Sequence, residues 1–152
     1  MATRWFEDIA PGDTIRAAAP MEVTLDEVKA FAGRWDVQWL HLDEAAAGAG
    51  PFGGVIASGW HTLAITMRLI TTAGFFGDNV MVGAAAEVKW LKPVWPGDSL
   101  DARAEILETS DVLRKPDYGG ARVRVTTLNQ HGEAVAVQTW QVLVPRRPQA
   151  GG

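Results

Sequence analysis

Two short stretches of this sequence hold residues able to do chemistry together. The first is Asp36-Val37-Gln38-Trp39-Leu40-His41, where a carboxylate and an imidazole have four residues between them in a segment without regular periodicity. On irregular backbone the two side chains can converge on one water and act on it as general acid and general base. The second is Phe52-Gly53-Gly54-Val55-Ile56-Ala57-Ser58-Gly59-Trp60. Its glycines allow close backbone approach, and Ser58–Gly59 opens a long apolar segment that reads as a helix. The first N–H groups of a helix have no intrahelical acceptor, and the helix dipole favours negative charge in front of them. A carbonyl oxygen gaining charge in a transition state is a suitable occupant. Trp39, Phe52 and Trp60 adjoin these groups and are candidates for a substrate pocket.

The elements that must hold these residues can be read from pattern. Thr24 and Glu27 form a capping-box pair, and Leu25, Val28, Phe31, Ala32 and Trp35 recur at helical spacing, predicting a helix from about Thr24 to Trp35. One helical turn is expected over Asp43–Ala47, ended by Gly48 and Gly50. The dominant helix is expected from Ser58, as N-cap, to about Ala73, with Gly74 as its stop. Trp60, Leu63, Ala64, Met67 and Ile70 would line its main face. Its other face carries only Ala, Thr, Ile and one Arg, so it should be buried on most sides. Strands are predicted near Asp13–Arg16 and over Val82–Leu91, Ser99–Glu108, Gly119–Asn129 and Glu133–Val144, the last two as a hairpin turning at Gln130-His131-Gly132. A polar loop is expected between Ser110 and Gly120, and fraying from Arg146. The fold class is α+β: a curved antiparallel sheet wrapped around a long central helix, in a single domain over 1–152.

The composition narrows the function. With 152 residues, 47% apolar and 21% charged, the chain suits one core. A net charge of −4, with no Lys/Arg run longer than Arg146–Arg147, argues against a nucleic-acid partner. The absence of cysteine excludes disulfides, thiolate nucleophiles and Cys-ligated zinc. Three scattered histidines lack metal-ligand spacing, so no metal site is expected. The segment Val55–Thr72 is too interrupted by polar residues for a membrane span. Residues 1–8 lack the apolar core of a signal peptide, so the cytoplasm is the expected compartment.

Weighed alone, Asp36 and His41 read more readily as turn or capping residues; the Ser58–Gly59 helix start is what tips them toward catalysis. Ser58 is not surrounded by a nucleophile elbow. His61, in the first turn of the helix, reads as a packing residue and His131 as an exposed turn residue. Lys89, Lys92, Arg114 and Lys115 read individually as solvated surface charges, though any of them is chemically able to meet a phosphate.

The Asp-x4-His loop followed by Phe-Gly-Gly-Val-Ile-Ala-Ser-Gly resembles the MaoC-type dehydratase family, which includes (R)-specific enoyl-CoA hydratases. The likeness runs from Trp5-Phe6-Glu7-Asp8 to Lys92-Pro93-Val94-Trp95-Pro96-Gly97-Asp98. The family pattern is roughly Asp-x-Asn-Pro-x-His, then Ile-Ala-His/Ser-Gly. This sequence departs from it with Gln38 in place of Asn and Trp39 in place of Pro.

The resemblance implies the hotdog fold, with Asp36 and His41 as the catalytic pair and Ser58–Gly59 binding the thioester carbonyl. It implies reversible hydration of a trans-2-enoyl thioester to a 3-hydroxyacyl thioester. No cofactor is implied beyond CoA, or an acyl carrier, as part of the substrate. A homodimer or higher homo-oligomer is also implied. Two rivals stand beside this reading. A hotdog thioesterase would need an acidic residue on the long helix, and none lies between Ser58 and Ala73. A non-catalytic acyl-binding domain would not need Asp36 and His41.

Overall fold

A computed structural model describes residues 2–149. After a 3-10 turn at Phe6–Asp8, the elements are β1 (Thr14–Arg16), β2 (Met21–Glu22), α1 (Leu25–Trp35), α2 (Trp39–Leu42), α3 (Glu44–Gly48), α4 (Gly59–Thr72), β3 (Val82–Trp90), β4 (Ser99–Asp111), β5 (Tyr118–Leu128) and β6 (Ala134–Pro145). Helix α1 starts where the capping box places it. Thr24 Oγ1 accepts from Glu27 N at 3.2 Å, and Glu27 Oε2 accepts from Thr24 N at 3.4 Å. Such a cap contributes about 1 kcal/mol. Val28 and Ala32 carry its buried face, whereas Trp35 is exposed beneath the guanidinium of Arg34. Asp43 caps α3 through Ala46 N.

The sheet is antiparallel throughout, in the order β1-β4-β5-β6-β3 with β2 on β4. Register shifts between Ile106 and Glu108, Thr127 and Leu128, and Gly83 and Ala85 mark bulges, which bend and twist a sheet. Helix α4 lies against the concave side, chiefly over β4. Ile65, Leu69 and Ile70 meet the inward residues Leu100, Ala104, Ile106, Val123 and Val125 in one core. Burying Ile70 or Ile106 fully contributes roughly 1.5–3 kcal/mol each, and the small Ala102 and Ala104 let the helix come close.

Two expectations are corrected here. Of the α4 face predicted to be buried, only Ile70 is fully so; Trp60 is 60% and Met67 40% exposed. The core-facing side instead includes Thr62 and Thr66. Thr66 Oγ1 donates to the Thr62 carbonyl at 2.8 Å and shares a 2.6 Å hydrogen bond with Thr127, so its hydroxyl enters the core satisfied. The helix is open on its other side because β3 does not close over it. Apart from half-buried Val88, every residue of β3 is exposed, and among the described residues it pairs only with β6.

Strand β6 ends at Pro145, and the two residues after it make side-chain contacts. Arg146 is ion-paired with Glu7 and Asp111 and stacks on Phe6, and Arg147 is paired with Asp8. These contacts hold 146 and 147 to the N-terminal turn; residues 150–152 lie outside the described part.

Candidate active site

Asp36 caps the C-terminal end of α1, its N–H reaching the Ala32 carbonyl at 3.0 Å. The segment read as irregular from sequence is in fact one helical turn, α2, closed by hydrogen bonds from His41 N to Gln38 O and from Asp43 N to Trp39 O. That turn brings His41 back over Asp36. The imidazole is buried, with Nδ1 2.6 Å from the carbonyl of Ile56. A carbonyl only accepts, so Nδ1 carries the proton and Nε2 is left facing the carboxylate, 3.3 Å from Asp36 Oδ2.

Ser58 does not cap α4 with its side chain. It is fully buried, and its hydroxyl donates to Asp36 Oδ2 at 2.6 Å, while the Gln38 amide donates to Oδ1 at 2.6 Å. These two hydrogen bonds, Ser58 first, hold the Asp36 carboxyl below the ordinary carboxylate range; partial burial opposes them, and His41 adds to them. Asp36 is therefore an ionised, oriented acceptor, and Ser58 sacrifices the cap to make it so.

Gly59 begins α4, and the first backbone N–H of the helix to find the Ser58 carbonyl is that of Thr62, at 3.1 Å. The N–H groups before it lie at the positive end of the helix. A Cβ on Gly59 would stand 2.5 Å from Nε1 and 2.8 Å from Cε2 of Trp90, so glycine is required for this indole to lie over the helix start. Trp90 in turn packs edge-on to Trp60, ring centroids 5.4 Å apart.

A cleft of about 450 Å³ is lined by Asp36, Gln38, His41, Gly59, Trp60 and Trp90, and also by Phe52 and Lys92. Trp39 does not line it; its ring packs on Gly50 instead. Sequence reasoning noted Gln38 only as a departure from a pattern and missed Trp90 altogether. No local signal announces Trp90, because it reaches Gly59 only through the sheet. Lys92 is ion-paired with Glu133, Lys89 lies near Glu87, and Lys115 lies near the Tyr118 ring.

His61 stands outside the cleft. It is buried and stacked on Phe31 at 4.7 Å, with Nδ1 lacking a partner among the described residues. Burial pushes its pKa down, and the charge of Glu27 opposes this. His131 is exposed in the β5–β6 turn.

A carboxylate, an imidazole whose Nε2 faces it, and the start of a helix beside one cleft suit water addition or elimination next to a carbonyl. The curved sheet against a long helix is the hotdog fold. Residues 7–140 match the MaoC like domain, and the chain belongs to that family of MaoC-like dehydratases. A MaoC-like dehydratase structure from Rhodospirillum rubrum superposes with a TM-score of 0.87 at 41% identity, covering 95% of this chain and 99% of that one. The uncharacterized protein YdeM of Bacillus subtilis is 35% identical over 127 residues, 83% of this chain and 89% of its own. The 3-hydroxyacyl-thioester dehydratase Z of Mycobacterium tuberculosis is 40% identical over 72 residues, 43% of this chain and 48% of its own. Among the described residues no helix is long and apolar enough to cross a membrane.

Proposed function

We propose that this protein is a hydro-lyase that interconverts a trans-2-enoyl thioester, carried by CoA or an acyl carrier, and its 3-hydroxyacyl thioester. The observation that carries this reading is the 3.3 Å approach of His41 Nε2 to an Asp36 carboxylate held by Ser58 and Gln38, beside the start of α4. In the hydration direction, Asp36 orients a water and His41 Nε2 takes its proton as the oxygen bonds to Cβ. The same proton is then delivered to Cα, so one carrier balances the reaction. The Gly59 N–H steadies the enolate-like oxygen, and losing one such donor costs roughly 2.7–4 kcal/mol in a transition state. Asp36, ionised throughout, offsets the charge on the imidazolium.

The test is incubation with crotonyl-CoA, following enoyl absorbance and free thiol together. Loss of the enoyl signal without thiol release supports the proposal. Thiol release would replace it with hydrolysis, and no turnover across chain lengths would point to an acyl-binding domain.

The assembly belongs to the same reading. An unpaired edge such as β3 invites a further strand, and Val82, Trp90 and the Trp60–Met67 side of α4 leave apolar surface beside it. The chain is accordingly a homodimer joined through β3. Light scattering at micromolar concentration should give twice the chain mass, and a monomer would refute this.

A further inference from the structure

The side of the sheet turned away from α4 is charged. On β4, Asp101, Arg103 and Glu105 alternate with the core residues Ala102, Ala104 and Ile106. On β5, Arg122 and Arg124 alternate with Ala121, Val123 and Val125, and Thr126 follows on the outer side. The register sets Arg16 of β1 opposite Arg103, and Arg103 opposite Thr126. Like charges directly opposite in an antiparallel pair are destabilising. The neighbouring arginines are each answered by a carboxylate: Arg16 by Asp101 at 2.7 Å, Arg124 by Glu105 at 2.7 Å and Arg122 by Glu108 at 3.1 Å. Arg103 has no ion pair or side-chain hydrogen bond among the described residues.

Arg103 lines a cavity of about 310 Å³ on this face, together with Thr14, Glu105, Arg124 and Thr126. Thr126 is only 9% exposed, and its hydroxyl, like that of Thr14, has no hydrogen-bond partner among the described residues. Its inward neighbour Thr127 is bonded to Thr66, as buried hydroxyls normally are. The charge of Glu105 is met by Arg124, which leaves the cavity with the positive charge of Arg103. Donors thus line it from three strands: Thr14 on β1, Arg103 on β4 and Thr126 on β5. A carboxylate has two oxygens in one plane and is satisfied by a single guanidinium fork. The terminal oxygens of a phosphate point in three directions and suit donors arriving from three strands.

We propose that this cavity binds a phosphate group, held by the Arg103 guanidinium and the hydroxyls of Thr14 and Thr126. The bound group supplies the counter-charge that Arg103 lacks beside Arg16 and the acceptor that the Thr126 hydroxyl lacks. The site shares no lining residue with the cleft of Asp36 and His41, and the inference does not depend on the hydration reading.

The test titrates the isotope-labelled full chain with sodium phosphate, chloride holding the ionic strength constant, and follows backbone amides by heteronuclear NMR. Saturable shifts centred on Thr14, Arg103 and Thr126 are expected. Arg103→Gln should weaken binding by about tenfold, the effect of one charge-assisted hydrogen bond, and Thr126→Val by a smaller factor. Arg16→Gln, whose charge Asp101 already meets, should leave it nearly unchanged. Shifts that do not saturate, or that scatter over the surface, overturn the proposal. Equal weakening in Arg16→Gln and Arg103→Gln overturns it too, because a diffuse field rather than a site would then attract the anion. Acetate bound as tightly as phosphate also overturns it. Glycerol phosphate separates the sources: tighter binding than inorganic phosphate supports a site for an organic phosphate ester, and equal binding supports a site for the free ion. If Arg103→Gln does not fold, the location of the shifts and Thr126→Val decide.

Discussion

The hydroxyl of Ser58 donates to Asp36 Oδ2 at 2.6 Å across a gap of 22 residues, tying the start of α4 to the end of α1. Because this bond favours the charged carboxylate, removing it has a definite sign. In Ser58→Ala the Asp36 pKa should rise, so the acid limb of the kcat/KM profile moves to higher pH. The variant should also lose roughly 1.5–3 kcal/mol of stability, the range for a hydrogen bond to a charged group. A depressed carboxyl contributes stability above its unfolded pKa and loses it as pH falls through the folded pKa. The difference between the two proteins should therefore persist at neutral pH and shrink at strongly acid pH. An unmoved acid limb would show that Ser58 does not tune Asp36.

Asp36→Asn and His41→Ala should each lower kcat by about 10²–10⁴, the usual contribution of a positioned acid or base. Both should retain cooperative urea unfolding, since the side chains border a cleft. Near-normal turnover in either would remove that residue from the proposed mechanism.

Gly59→Ala should behave oppositely in two backgrounds. In the unaltered protein the new Cβ collides with the Trp90 indole, and overpacking typically costs about 1–3 kcal/mol. In a Trp90→Ala background the collision is gone, and alanine's better helix propensity should make the change neutral or slightly stabilising. A double-mutant cycle from urea melts measures the coupling; additive costs would mean the two residues do not meet.

His61 makes a separate prediction about acid. Its folded pKa lies below its unfolded one because of burial. As pH falls below about 6.5, the ordinary histidine value, the unfolded chain gains a proton that the folded chain resists, and stability drops. His61→Phe keeps a ring against Phe31 and should flatten the fall in urea midpoint between pH 8 and pH 5.5. An equal fall in both proteins would assign the acid sensitivity elsewhere.

Local signals account for what the sequence made legible. The Thr24–Glu27 box, the alternation of Ala121 to Val125 and the Gln130–Gly132 turn depend on near neighbours, and each stands as read. The α2 turn was hidden because four residues are too few to display a helical period. Ser58 looked like a cap because its competing acceptor lies on another helix. The exposed side of α4 was misjudged because apolarity alone cannot tell a core from a surface awaiting a partner, and Thr66 entered the core only through a bond to β5. Trp90 acts through a tertiary contact that spacing does not encode, whereas Gln38 donates to Asp36 only two residues away.

The ring stack of Phe31 on His61 joins the same two helices that Asp36 and Ser58 join at their ends. Asp36 ends α1 and Gly59 begins α4, so the spacing between the carboxylate and the helix start is an alignment tolerance set one turn inside the core. Misplacement of about 1 Å can cost 10²-fold in rate. Substitutions beneath the stack, touching no substrate, would act on this enzyme as a machinist acts on a bearing: the parts remain, and the fit between them changes.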